Sequence, residues 1–222
     1  MSLKLLDQPL GQLACEIPGA SRLLHAFNLD FCCGGQRSLR EEANRRGIDP
    51  QPIASELAAL QNQGGLHHDW RSEPSDQLIE HILNRYHARH REQLPELIAL
   101  AYRVEQVHGD RADCPRGLAD HLRAMLQELE SHMLKEEQIL FPMLLAGYAR
   151  QASAPIAVMR LEHDQHGAAL EQLQRLSGGL TPPEDACNTW RALYRGLNEL
   201  NDDLVQHIHL ENNVLFAAAL AP

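Results

Sequence analysis

A glutamate inside an apolar helical stripe is rare unless a charge or a metal holds it. This chain has two, and each follows a histidine by one helical turn. The phrase His132-Met133-Leu134-Lys135-Glu136 continues into Ile139-Leu140-Phe141, and it returns as His207-Ile208-His209-Leu210-Glu211 before Val214-Leu215-Phe216. Positions i and i+4 share one helix face. Each copy therefore aims an imidazole and a carboxylate at the same place, and the apolar run beyond it turns that face toward a core.

A second echo lies upstream. His87-Ala88-Arg89-His90 precedes the first phrase and His163-Asp164-Gln165-His166 the second; His87 to His132 spans 45 residues and His163 to His207 spans 44. Near-equal spacing reads as a duplicated helix pair. Two such pairs predict an all-α chain whose main part is a four-helix bundle, able to gather ligands from every helix into its interior.

The remaining chain divides around that bundle. Residues 1–60 are expected to form a small helical domain, cut into short pieces (10–17, 20–27, 38–46 and 53–61) by Pro18, Gly34-Gly35, Gly47, Pro50 and Pro52. Residues 61–74, with Gly64-Gly65, His67-His68 and Pro74, read as a linker. The bundle then occupies 75–222, with helices expected over 76–107, 116–146 and 155–176. The fourth opens at Thr181-Pro182-Pro183-Glu184 and runs to 218.

Charge and cysteine usage exclude several classes. A formal charge of −10 argues against nucleic acid and anionic membrane surfaces as partners. Five cysteines, odd in number and without a CxxC, do not build a disulfide framework. Asp7 and Pro9 interrupt the short apolar start, so no signal-peptide core is read there. No stretch is long enough to span a bilayer. The expectation is a cytoplasmic protein with reduced thiols.

Thirteen histidines outnumber the two Trp, four Tyr and four Phe together, and they direct attention to metal. One His from each HxxH helix and the two HxxxE pairs make four His and two Glu. Such a set suits iron, manganese or zinc, and six ligands suit two ions better than one closed zinc site. Which His of each HxxH serves stays open on the residues: the apolar period slightly favours His90 over His87, and the face of the third helix carries both His163 and His166. Two further features stand apart. Glu128, one turn before His132, and Glu162, beside His163, are candidates for a polar route to the metals. Cys32 and Cys33 in Asp30-Phe31-Cys32-Cys33-Gly34-Gly35 cannot close an unstrained disulfide with each other. They present two thiols at a turn, where a thiolate is both nucleophile and soft ligand.

With these motifs in place, the chain resembles a known family. The paired HxxxE phrases on a duplicated bundle resemble the hemerythrin-like di-iron domain. The Asp30–Gly35 motif resembles the amino-terminal module of the iron-sulfur cluster repair proteins, the Repair of Iron Centres family of the ScdA and YtfE type. The stretches 85–95, 135–142 and 210–216 carry the same resemblance, which covers essentially the whole chain. It implies iron ligands His87, His132, Glu136, His163, His207 and Glu211, and so selects His87 over His90 and His163 over His166. It implies two non-haem irons, oxo- or hydroxo-bridged, and a role in repairing clusters damaged by nitrosative or oxidative stress. Repair would run by iron donation or by binding or reducing nitric oxide, with iron-sulfur proteins or cluster scaffolds as clients of a monomer or homodimer. The fifth His and the Asp of oxygen-carrying hemerythrins have no clear counterpart here. The rival class is a hemerythrin-like module that stores or senses iron, oxygen or nitric oxide without turnover; Cys32-Cys33, which a simple carrier does not need, favours repair.

Overall fold

The computed structural model of the chain describes residues 2–63 and 69–221. The expected all-α class is borne out: among the described residues every regular element is helical, apart from one isolated bridge between Pro9 and Ser38. Among the described residues, no helix is long and apolar enough to cross a membrane.

The short helices come first: α1 (Ser2–Leu5), α2 (Leu10–Glu16), α3 (Ala20–Ala26), α4 (Leu39–Arg46) and α5 (Pro50–Gln63). Three of the four expected pieces differ from the helices by one residue at one end; α5 starts three residues earlier, at Pro50, and ends two later, and α1 was not expected. Helix α4 shows why the local sequence suffices. Ser38 accepts from the Glu41 N–H while Glu41 accepts from the Ser38 N–H, a reciprocal capping box, and Gly47 closes the other end at φ +69°. Leu6, Leu10, Leu13, Ile17, Leu24, Phe31, Leu39, Ile53 and Leu57 form the shared core. Of the expected linker, 64–68 with His67 and His68 lie outside the described residues. Trp70–Ser72 form a single 3₁₀ turn, whose Arg71 binds Glu16 of α2 at 3.2 Å.

Four longer helical runs follow. The first is α6 (Ser75–Ile82), a π-helical turn at Leu83–His87, and α7 (Ala88–His108). The second is α8 (Leu118–Lys135), a π-helical turn at Glu136–Leu140, and α9 (Phe141–Leu145). The third is α10 (Ser153–Leu176), without such a turn. The fourth is α11 (Asn188–Leu210), a π-helical turn at Glu211–Leu215, and α12 (Phe216–Ala219). The fourth run does not open at Thr181 as expected. Arg191 bonds the carbonyls of Glu184 and Ala186, and Arg111 holds Asp185 at 2.7 Å, so side chains fix this backbone as a loop.

Contacts divide the chain into two compact units: Met1–Leu78 with Val205–Pro222, and Ile79–Leu204. In the second unit the four runs close a ring of neighbours. Arg91 of α7 binds Glu130 of α8 at 2.9 Å, and His121 of α8 meets the Ala169 carbonyl of α10 at 2.9 Å. Tyr194 of α11 donates to the Ser177 carbonyl at the end of α10. Gln93 of α7 donates to the Gly196 carbonyl of α11 at 3.1 Å, an approach that needs glycine, since a Cβ at 196 would stand 2.6 Å from Leu97. The division into units falls within α11, so His207 and Glu211 count with the unit that holds Cys32 and Cys33.

Candidate metal centre

Three of the four helical runs put a π-helical turn at an expected ligand. His87 ends the first such turn, Glu136 opens the second and Glu211 opens the third. A π turn adds one residue to a helix and re-aims the side chains beyond it, and such turns concentrate at functional sites. His87, Glu136, His163, His207 and Glu211 are all 0 % exposed, and His132 is 1 % exposed.

Within the second unit, Glu136 faces two histidines. Its Oε1 lies 3.3 Å from His132 Nε2 and its Oε2 lies 3.4 Å from His87 Nε2. His163 Nε2 is 3.1 Å from His132 Nε2. His166, 4 % exposed, turns its ring edge-on to His132, and His90 packs by Tyr86. In the first unit the second phrase repeats the contact, with His207 Nε2 3.1 Å from Glu211 Oε1.

The outer nitrogens explain the orientation. His87 Nδ1 is 2.8 Å from Glu137 Oε1, and His132 Nδ1 is 2.9 Å from Glu162 Oε2. An ionised carboxylate only accepts, so each Nδ1 donates to it, and in the neutral ring each Nε2 then presents a lone pair inward. The carboxylates are fixed in turn. Arg91 holds Glu137 at 2.8 Å and Lys135 holds Glu162. Burial pushes both carboxyls up, but Arg91 and His87 for Glu137, and Lys135 and His132 for Glu162, outweigh it and hold both below their ordinary values.

Inward lone pairs and a buried carboxylate make a set of electron-pair donors that fits a cation. Ligand bonds of 2.0–2.2 Å place neighbouring ligand atoms about 2.8–3.1 Å apart around an octahedral ion and about 3.3–3.6 Å apart around a tetrahedral one. The separations of 3.1, 3.3 and 3.4 Å lie within the span of these two geometries. The fit is to a hard or borderline divalent ion, because the set is imidazole and carboxylate without thiolate.

The other expected residues lie nearby or apart. Glu162 sits on His132, whereas Glu128 is exposed; both line a crevice of about 270 Å³ together with Lys135 and His166. Cys32 and Cys33 are unbridged, in the loop between α3 and α4. That loop is tied to the third π turn inside the first unit. Asn212 donates to the Cys32 carbonyl at 3.1 Å, and Asn213 to those of Phe31 and Cys32 at 3.0 and 3.3 Å. A Cβ at Gly35 would come within 2.6 Å of Asn213 Oδ1, so glycine admits the amide. The same Asn213 nitrogen is 3.0 Å from His209 Nδ1, which leaves His209 Nε2–H to face Cys15 Sγ at 3.6 Å. Burial pushes the Cys15 thiol up to about 11, so it stays protonated and packs as a structural group.

Sequence reasoning missed Glu137, Arg91, Asn212 and Asn213. Glu137 follows Glu136 in the sequence, but an α-helical period turns it away from Glu136's face. In the structure it lies in the π turn and meets His87 at 2.8 Å. Asn212-Asn213, directly after Glu211 within the second phrase, was the visible signal for the loop anchor.

Comparison with known proteins places both parts of the chain. The family described as Hemerythrin HHE cation binding domain matches residues 78–219, and the ScdA_N family, a domain of unknown function, matches residues 6–61. The iron-sulfur cluster repair protein YtfE of Cronobacter sakazakii is 54 % identical over 97 % of this chain and 97 % of its own length. Proteins of the same name from Yersinia pseudotuberculosis and Escherichia coli O157:H7 are each 53 % identical, over 96 % and 97 % of this chain and 97 % of their own lengths.

Proposed function

This chain belongs to the iron-sulfur cluster repair family built on a hemerythrin HHE cation-binding domain, and from that membership we propose that it repairs damaged clusters through a di-iron centre. His87, His132, Glu136, His163, His207 and Glu211 hold two bridged iron ions. The observation that carries this reading is Glu136, whose two oxygens each approach a different imidazole, as a bridging carboxylate would. The repeated His207–Glu211 contact supports a second carboxylate in the same role.

Two ferrous ions there would supply open coordination positions and the two electrons that reduce two nitric oxide molecules, with two protons, to nitrous oxide and water. The chain's own residues do the rest. The carboxylates of Glu137 and Glu162 keep His87 and His132 in the tautomer that presents Nε2 inward. Leu129, Met133 and Leu140, buried on the helical run that carries His132 and Glu136, keep that face apolar. Glu162 and Glu128, in their shared crevice, form a polar route for protons or departing iron. Cys32 and Cys33 take over iron or a nitrosyl group, or exchange electrons with a donor. Clients are iron-sulfur proteins or cluster scaffolds, and the working location is the cytoplasm. The functional domains are 1–60 and 75–222, joined by 61–74.

The test is anaerobic exposure of the diferrous protein to nitric oxide, with iron analysis before and headspace analysis after. About two irons per chain, a bridged-pair spectrum and nitrous oxide are expected. A stable nitrosyl adduct without nitrous oxide leaves iron donation as the repair route, which recovery of a damaged iron-sulfur enzyme then reads directly. Cys32→Ser with Cys33→Ser should keep the bundle iron and lower that recovery; full recovery would remove the cysteines from the mechanism.

A further inference from the structure

One cluster of ligating side chains lies outside the His/Glu set. Asp30, Cys32 and Cys33 each offer an atom within 4.8 Å of the others. Cys32 Sγ stands 3.7 Å from Cys33 Sγ and 3.6 Å from Asp30 Oδ1. A tetrahedral ion with metal–sulfur bonds of about 2.3 Å and metal–oxygen bonds of about 2.0 Å needs edges of about 3.8 Å between sulfurs and about 3.5 Å from sulfur to oxygen. Both measured edges match without movement of the side chains.

The loop is built to hold that geometry. The Cys33 N–H donates to Asp30 Oδ1 at 3.0 Å, which turns the carboxylate toward the thiols. Arg37 approaches the other oxygen, Oδ2, at 3.7 Å. A Cβ at Gly34 would stand 2.7 Å from Asp30 Oδ2 and 3.0 Å from the Asp30 carbonyl, so glycine lets the chain fold back over the carboxylate. Asn212 and Asn213 fix the carbonyls on the other side. Cys32 is buried, while Asp30 and Cys33 are half-buried, so one side stays open for a fourth ligand. Charge closes as well: two thiolates and one carboxylate against a divalent ion leave one negative charge, which Arg37 offsets.

We propose that Asp30, Cys32 and Cys33 form a three-ligand tetrahedral site for one thiophilic divalent cation of the ferrous or zinc class, with its fourth position open to water or to a ligand from a client. Binding releases the two thiol protons. The site deepens the transfer role proposed for the cysteine pair and rests on it for its purpose. Unlike the His/Glu set it is sulfur-rich, and that difference separates the two in one experiment.

The full-length, iron-loaded protein is titrated anaerobically with Co²⁺. Cobalt bound by thiolate gives a near-ultraviolet charge-transfer band that His and Glu ligands cannot give, and a tetrahedral ion gives intense visible bands. One cobalt per chain is expected with both signals. Cys32→Ser and Cys33→Ser should each abolish or strongly weaken the charge-transfer band, and Asp30→Asn should weaken cobalt binding at least tenfold while keeping the band. Cys187→Ser is the control, because Cys187 Sγ lies 3.4 Å from His108 Nε2 and could form a rival pair. The proposal is overturned if no band forms, if the band survives in the double Cys32/Cys33 variant, if it is lost in Cys187→Ser, or if Asp30→Asn binds cobalt like the parent. Iron analysis of the same samples reads the His/Glu centre independently, so low iron with a normal band would count against the di-iron reading alone.

Discussion

Replacing Glu137 or Glu162 with Gln tests whether the outer carboxylates set the affinity of the metal centre. Gln keeps the shape and an accepting oxygen but loses the charge. A hydrogen bond to a charged group is worth about 1.5–3 kcal/mol and a neutral one about 0.5–1.5 kcal/mol. The loss is therefore about 1–1.5 kcal/mol of support for each histidine. Both glutamates are mostly buried, with 25 % and 18 % of the side chain exposed, so solvent screens little of this. Each variant should bind iron about tenfold more weakly, since about 1.4 kcal/mol is a factor of ten. The double variant should approach a hundredfold if the two act independently on His87 and His132. Competition with a ferrous chelator under anaerobic conditions measures the affinity. Thermal unfolding of the iron-free proteins shows how much of any change is structural. Arg91 keeps Glu130 as partner at 2.9 Å, so the iron-free Glu137→Gln protein should remain folded. Parent-like iron affinity in both single variants would refute the argument that these carboxylates hold the imidazoles ready.

Three further outcomes are expected. His132→Ala, His207→Ala, Glu136→Ala and Glu211→Ala should each lower iron content while His166→Ala keeps it; four variants with full iron and an unchanged spectrum would overturn the ligand set. Glu42, fully buried, is bound by Arg37, Arg45 and Arg46 at 3.1, 2.8 and 3.1 Å, and although burial pushes its carboxyl up, Arg45 and Arg46 bring it down to about 2. Its contribution is therefore fully present above the unfolded value of about 4.3 and is lost as pH falls from there toward 2. After allowance for the partly solvated guanidiniums it amounts to about 1–2 kcal/mol. Denaturant titrations of parent and Glu42→Gln should show a gap at pH 7 that falls to about half at pH 3, and a gap that is the same at both would exclude this origin. Asn213→Ala removes the side-chain hydrogen bond to the Phe31 carbonyl and one of the two that Asn212 and Asn213 make to that of Cys32, which should cost about 1–3 kcal/mol. It should also speed alkylation of Cys32 and Cys33, so unchanged labelling rates by mass spectrometry would mean the anchor does not restrain the loop.

The helical period made much of this legible. The His-x-x-x-Glu spacing predicted the contacts found at 3.3 Å for His132–Glu136 and 3.1 Å for His207–Glu211. Capping residues and glycines located α4 nearly to the residue, because Ser38, Glu41 and Gly47 act within the helix itself. What period cannot show is a change of period. The three π turns re-aim side chains relative to an α-helical wheel, and the Glu137–His87 contact joins two of them. Long-range ties were invisible for a different reason. Arg191 and Arg111 hold residues 184–186 as a loop through contacts that no local rule encodes, so the helix start read at Thr181 was misplaced. The Asn213 anchor reaches across 182 residues to Phe31, beyond any window in which pattern is read.

That separation bears on how the protein is made. The unit holding the cysteine loop is assembled from both early and late stretches of the chain, and hydrogen bonds from Asn212 and Asn213 close it. Closing a loop of this length costs about 4–5 kcal/mol of chain entropy before any contact offsets it, and contacts so distant in sequence form slowly. During synthesis the first helices leave the ribosome well before their partner segment, and the Phe31 and Cys32 carbonyls wait for Asn212 and Asn213. His207 and Glu211 arrive on that same late segment. On the proposed ligand set, metal loading follows translation of that segment, and a nascent chain stalled before residue 205 would carry thiols without the anchor that positions them.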